Sequence, residues 1–282
     1  MDIQWFPGHM TKAYRMMEKE IKLVDSLIYL LDARCIEACF NPKFDALIGN
    51  KPVLYVINKA DLCEEKDIAD WIKEFKNRGK NVMFCNSTAS KDRKKIIENL
   101  KKINLPTIER YKLKGVNKVV RAMVVGVPNS GKSTLVNCLC GYKKTATGNI
   151  AGVTRGKQWV TLENNIEILD TPGTLWGRFE NQTYAKHLAF VGSIKDGIYN
   201  NYDMALEILQ FFKTNYTQQF LQRFNLEMVE ETLIMFDKIA LNRGMIIKGG
   251  EPDVDRTASA IVDDFRKQKI AKVMLEKVKE KQ

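Results

Sequence analysis

Gly126-Val127-Pro128-Asn129-Ser130-Gly131-Lys132-Ser133 is the stretch on which the reading of the chain turns. It follows an apolar run at residues 119–125 and opens a helical pattern at 132–140, so a glycine-bearing loop joins a buried strand to a helix N-terminus. The spacing is G-x-x-x-x-G-K-[ST], in which successive backbone N–H groups and the positive end of a helix converge on phosphates. Lys132 is placed to reach the β- and γ-phosphates and Ser133 to ligate magnesium, with Asn129, Ser130, Gly131 and Thr134 completing the nucleotide contacts. A bare strand-to-helix turn has no need of lysine and serine at those places.

Two motifs downstream extend this site. Asp170-Thr171-Pro172-Gly173 closes the strand-like run 166–169, where Asp170 can hold the magnesium through water while the Gly173 N–H faces a γ-phosphate. Thr154, in Gly152-Val153-Thr154-Arg155, lies in a glycine-bearing loop and reads as a switch threonine adding a second hydroxyl to the metal. The plainer reading of Thr154 is a solvated loop residue.

Upstream, Asn58-Lys59-Ala60-Asp61 ends the apolar run 53–57. Guanine differs from adenine in its N1–H and exocyclic amine, two donors that one carboxylate accepts together, and Asp61 offers that carboxylate. Asn58 can bond the Hoogsteen edge and tie back to the phosphate loop, while the Lys59 stem covers the base face and Ala60 completes the turn. A further strand at 82–85 ends in Asn86-Ser87-Thr88, whose backbone N–H groups can meet the guanine O6. The nucleotide expected is therefore GTP or GDP.

Working outward, short apolar runs at 27–31, 53–57, 82–85, 119–125 and 166–169 alternate with helical patterns at 45–49, 64–77, 91–102 and 132–140. This predicts an α/β fold with a mostly parallel sheet covered by helices on both faces, residues 159–162 pairing antiparallel with 166–169. Residues 104–118, with Pro106 and Gly115, read as a linker. After about residue 180 only helical spacing remains, at 205–212, 220–224, 229–240 and 258–265, and 267–282 reads as a lysine-rich helix or frayed tail. The expected organisation is a nucleotide-binding domain with an N-terminal arm over 1–178 and a helical domain over 179–282.

Composition bounds the function. The chain has 282 residues, 45% apolar and 28% charged, which excludes wholesale disorder and leaves room for a large core. No run approaches the ~18 uncharged apolar residues of a membrane helix, and the N-terminus lacks the apolar core of a secretion signal. Six scattered cysteines, with no histidines clustered about them, read as free thiols, so cytoplasm is the expected compartment. The net charge of +11 points to a polyanionic partner, nucleic acid ahead of an anionic membrane surface.

The motif order is base reader, second base loop, phosphate loop, switch threonine, D-x-x-G, with no second N-K-x-D after Gly173. That is a circular permutation of the GTPase domain, a rearrangement that termini lying close together make tolerable. With Trp5-Phe6-Pro7-Gly8-His9-Met10, Asp32-Ala33-Arg34, Lys248-Gly249-Gly250-Glu251-Pro252-Asp253 and Asp263-Asp264-Phe265-Arg266, the chain resembles, over nearly its whole length, the circularly permuted GTPases that assist assembly of the large ribosomal subunit.

The resemblance implies a GTPase, slow alone and stimulated by the large subunit, acting late in its maturation. It would bind ribosomal RNA and ribosomal proteins through the helical domain and be a monomer off the ribosome, with no membrane. By the same resemblance His9 is the candidate catalytic residue and Asn129 a potassium ligand, the ion supplying charge where Ras-like enzymes borrow an arginine. The chain departs from pattern in three places: Thr174 stands where Ras-type enzymes place glutamine, Ala151 replaces a common proline, and residues 35–40 lack the usual proline and arginine. The missing glutamine keeps open the alternative of a GTP-dependent RNA-binding switch with negligible hydrolysis. His187, on an amphipathic pattern, reads as structural.

Overall fold

The computed structural model describes residues 3–141, 157–163 and 165–278; Thr154 and Ala151 lie outside them. Six strands form one sheet: β1 (Ser26–Asp32), β2 (Val53–Asn58), β3 (Asn81–Phe84), β4 (Val120–Val125), β5 (Gln158–Leu162) and β6 (Ile166–Asp170). Their order is β3-β2-β1-β4-β6-β5, parallel throughout except for the β5–β6 pair. β1 is buried along its whole length, as its near-continuous apolar run requires of a central parallel strand.

Alternation along the strands divides the core. Ile28, Leu30, Leu54, Val56 and Val124 face one way, against Ile96 and Leu100 of α4 (Arg93–Ile103) and Leu135 and Leu139 of α6 (Lys132–Cys140). Leu27, Tyr29, Leu31, Tyr55, Ile57 and Met123 face the other, where α1 (Gly8–Glu20), α2 (Pro42–Ile48) and α3 (Glu65–Asn77) contribute Met10, Met17, Phe44, Trp71 and Phe75. That second cluster runs on without a break into the later helices, α7 (Gln182–Phe190), α8 (Asn201–Asn215), α9 (Thr217–Phe224), α10 (Thr232–Asn242) and α11 (Val254–Arg266).

The register sets out the functional rim. Asp32 lies opposite Asn58 across β1–β2, and Asp170 lies opposite Val124 across β4–β6. The C-terminal ends of four parallel strands thus share one edge, the place where open α/β sheets bind ligands.

Two expectations need correction. Residues 104–118 are not a plain linker, because α5 (Leu105–Lys112) occupies most of them. Pro106 sits in its first turn, where no intrahelical N–H is required, and the buried Asn104 fixes the junction by donating to Ser26 Oγ at 2.9 Å and Leu100 O at 2.8 Å. The segment after α11 is neither helix nor frayed end up to residue 278. It crosses back over the sheet domain, with Val273 N donating to Leu62 O at 3.0 Å and Leu275 N to Arg34 O at 2.7 Å. Ile270, Val273 and Met274 are buried while Lys269, Lys272 and Lys277 stay exposed, so the apolar positions dock and the lysines keep their charge in water.

Glu276 fastens this segment. Its carboxylate accepts from the backbone N–H groups of Glu37 and Ala38 and lies 2.7 Å from His187 Nδ1, while its own carbonyl accepts from Trp71 Nε1 at 2.9 Å. His187 therefore holds the tail in place, and residues 35–40 serve as its seat. Glu276→Ala strands two backbone donors without acceptors and is expected to destabilise the fold by about 1–3 kcal/mol. In a urea titration this is a lower midpoint at unchanged slope.

Candidate functional site

β4 delivers the chain into the phosphate loop, and the loop is shaped by what presses on it. Gly131 caps α6 at φ 96°, and a Cβ there would lie 2.3 Å from Asn58 Nδ2, so no side chain fits. Ser130 is buried and donates to Val127 O at 2.9 Å. The Lys132 ammonium donates to Val127 O at 2.7 Å and Gly126 O at 3.1 Å, curled under its own loop. Burial pushes it down to about 8, against the opposing pull of Asp170.

Asp170 and Ser133 meet at the foot of this loop, with Ser133 Oγ donating to Asp170 Oδ2 at 3.1 Å. Burial raises the Asp170 carboxyl, with Lys132 and the Ser133 hydroxyl pulling the other way. Its second oxygen, Oδ1, is buried with no partner among the described residues. A buried carboxylate oxygen left open beside a hydroxyl is a hard-oxygen donor set, and magnesium fits it. Gly173 lies so close to the loop that a Cβ would stand 2.6 Å from Pro128 Cα and 2.8 Å from Lys132 Nζ. The D-x-x-G backbone is thereby packed directly on the phosphate loop.

The base-reading motif is tied to the same loop. Asn58 is 2% exposed and its carboxamide is used at both ends. Nδ2 donates to Ser130 O at 2.9 Å, and Oδ1 accepts from Ser87 N at 3.0 Å and Ser87 Oγ at 2.8 Å. Asn86 makes its own turn, its Oδ1 accepting from Thr88 N at 2.9 Å, and Ala60 N donates to Cys85 O at 3.1 Å. The two base loops are thus locked together, and Asp61 stands exposed beside them in the turn Ala60–Leu62.

Lys59 adopts a left-handed backbone and sends its ammonium to Asn129 O at 2.7 Å and Asp32 Oδ2 at 2.9 Å. Arg34 meets the same Asp32 carboxylate with Nε at 2.9 Å and Nη2 at 2.8 Å. Burial alone would raise the Asp32 carboxyl, but Arg34 and Lys59 outweigh it and hold it well below the usual carboxylate range. The D-A-R motif is visible in sequence, yet its bond to Lys59 is not, because nothing in linear spacing places residue 32 beside residue 59. Asn129 is likewise engaged beyond expectation: its Nδ2 donates to Val191 O, at the end of α7, at 3.0 Å.

The catalytic candidates are less tightly gathered. His9 is exposed at the start of α1, edge-on to Trp5, and makes no hydrogen bond to the phosphate loop among the described residues. Its neighbour Met10 is buried, and Met10 Sδ accepts from Leu175 N at 3.5 Å, which brings the arm against the chain just past Gly173. Thr174, in the glutamine position, is fully buried with its hydroxyl unpartnered among the described residues. The six cysteines are free thiols, five buried and Cys138 half-buried.

Residues 121–238 match the family described as 50S ribosome-binding GTPase, and residues 46–176 match the RsgA GTPase family. The chain is 40% identical to Ribosome biogenesis GTPase A of Priestia megaterium, over 96% of this chain and 95% of that protein. It is 30% identical to the protein of the same name from Thermotoga maritima, over 98% and 94%. The crystal structure of GNP-bound YlqF from T. maritima superposes with a TM-score of 0.66 at 27% identity, covering 94% of this chain and 98% of that one. A circularly permuted GTPase domain built around a phosphate loop, with relatives of this similarity over nearly full length, gives the conclusion: the chain belongs to the ribosome biogenesis GTPase A family.

Proposed function

We propose that this protein is a GTP-hydrolysing assembly factor that binds the large ribosomal subunit through ribosomal RNA and acts in a late step of its maturation. Residues 179–282 are the RNA-binding helical part; they carry 15 basic and 15 acidic side chains, so the chain's excess of 45 basic over 34 acidic lies in residues 1–178, which would add contacts to phosphate. The protein works in the cytoplasm as a monomer off the ribosome; among the described residues no helix is long and apolar enough to cross a membrane. The observation that carries the GTPase reading is the Asn58 carboxamide, which bonds Ser130 O and Ser87 and so sets the guanine-reading loops and the phosphate loop on one rim.

In this reading Asp61 accepts from the base and Lys59 lies along it, with Asn86 and Ser87 beside the guanine O6. Lys132 leaves the loop carbonyls for the β- and γ-phosphates, and the Gly173 N–H meets the γ-phosphate. Ser133, Thr154 and, through water, Asp170 would hold magnesium, and Asn129 would hold potassium; both ions supply positive charge to a phosphoryl group bearing charge in transit. His9, carried on the arm seated by Met10, positions or deprotonates the attacking water.

Threonine where Ras-type enzymes place glutamine favours the second reading, a GTP-dependent switch with negligible chemistry. Turnover in potassium buffer with purified large subunits separates the two: the first reading expects stimulation by the subunit, lost in sodium and in His9→Ala. Tight GTP binding with no stimulation selects the switch.

Asp61→Asn replaces a charged double acceptor and is expected to weaken GTP binding by about ten- to a hundredfold. Isothermal titration with GTP and ATP checks this, and an unchanged GTP affinity would remove Asp61 as base reader. Because the Lys132 ammonium titrates near 8 in the free protein, phosphate binding above that pH requires proton uptake. The GTP dissociation constant is therefore expected to rise by up to about fivefold between pH 8 and 9, a trend absent in Lys132→Met.

A further inference from the structure

Three parts of the molecule meet at Asn129. Its backbone is left-handed at φ 57°, a conformation asparagine tolerates better than most residues. Its carbonyl is held by Lys59 of the base loop at 2.7 Å, and its carboxamide nitrogen donates to Val191 O at 3.0 Å. A carbonyl can be met only by the amide NH2, so this contact fixes which way the carboxamide is turned. The nitrogen is committed to α7, and Oδ1 is left without a donor among the described residues.

The acceptor is itself held. Val191 caps the C-terminus of α7, where the last carbonyls of a helix have no partner within it. Arg266, the last residue of α11, serves the two preceding carbonyls: Nη2 donates to Ala189 O and Nε to Phe190 O, both at 3.2 Å. Asp196 grips the guanidinium at 2.9 and 3.2 Å, and Tyr199 OH accepts from it at 2.8 Å while donating to Asp196. Gly192 leaves the room this arrangement needs, since a Cβ there would stand 3.0 Å from Asn129 Nδ2 and 3.5 Å from Arg266 Nε. Three consecutive carbonyls at one helix end are thus divided between the helical part and the phosphate loop.

We propose that Arg266 is a positioning residue for the cation site: by fixing the end of α7 it holds Val191 O against the Asn129 carboxamide, so that Oδ1 is the atom offered to potassium. This rests on the reading of Asn129 as a potassium ligand. The group orienting a ligand from behind commonly sets the site's affinity, and here that group belongs to the helical part. Thermodynamic linkage makes the effect mutual, so potassium at Asn129 must in turn stabilise the end of α7.

The test uses the full chain, its complex with fluorescent GDP and aluminium fluoride, and potassium titrated against a sodium background of constant ionic strength. Arg266→Gln is expected to raise the half-saturating potassium concentration by at least about fivefold, the low end of typical site couplings, with GDP affinity in sodium unchanged. Arg266→Lys should recover part of the shift. Asp196→Asn, at a side chain 61% exposed and so safe for folding, should show a smaller shift of the same sign. Amide hydrogen exchange over residues 188–193 should slow when potassium replaces sodium in the wild type and not in Arg266→Gln. If the variants melt earlier but keep the wild-type potassium requirement, Arg266 is only a structural tie and the proposal is overturned. A requirement that vanishes in Asn129→Ala but is unmoved in Arg266→Gln overturns the positioning role alone; a wild type indifferent to potassium overturns the ligand reading and the proposal with it.

Discussion

One buried carboxylate, Asp32, faces two cations from different loops, and the site depends on that meeting. Arg34 grips it from the chain just beyond β1, and Lys59 reaches it from the end of β2 before passing on to Asn129 O. Removing one partner of a buried pair typically costs about 3–5 kcal/mol, because the remaining charge stays out of water. The arrangement therefore tolerates one position of Lys59, and with it one spacing between base loop and phosphate loop. The Arg34 carbonyl, meanwhile, anchors Leu275, so the motif that aligns the nucleotide loops also seats the returning tail.

Much of this was legible in the sequence because the signals are local. A strand buried on both faces reads as a continuous apolar run, and a phosphate loop must carry its glycines and lysine within a few residues, so the sheet, its permuted order and the loops on its rim could be read directly. What escaped was long-range or averaged out. Pro106 and Gly115 suggested an irregular linker, although proline is at home in a first helical turn. The lysines of 267–278 hid Ile270, Val273 and Met274, whose burial depends on a sheet surface made by residues far earlier in the chain. The contact from Asn129 to Val191 spans 62 positions and has no spacing to betray it.

The permutation also changes what adjoins what. The chain leaves Gly173, pressed on the phosphate loop, passes the buried Thr174 and Leu175, and enters α7 at Gln182. A segment packed on the phosphate loop is thus joined by a short covalent path to the helical part. The same helix returns to the phosphate loop at its other end through Val191. Motion at either place therefore loads a single helix from both ends, with Arg266 as the brace at the far one.

The seat of the tail has a consequence for the order of synthesis. Glu37 is translated 239 positions ahead of Glu276, which satisfies its N–H. Strands β1 to β3 emerge first and can pair, yet the loop beside them keeps unanswered backbone donors until Glu276 has been made. A nascent or prematurely terminated chain would carry both nucleotide motifs on an unfinished surface, exposed to the chaperones and proteases that survey incomplete proteins. The seat beside β1 is finished only once Glu276 has been made.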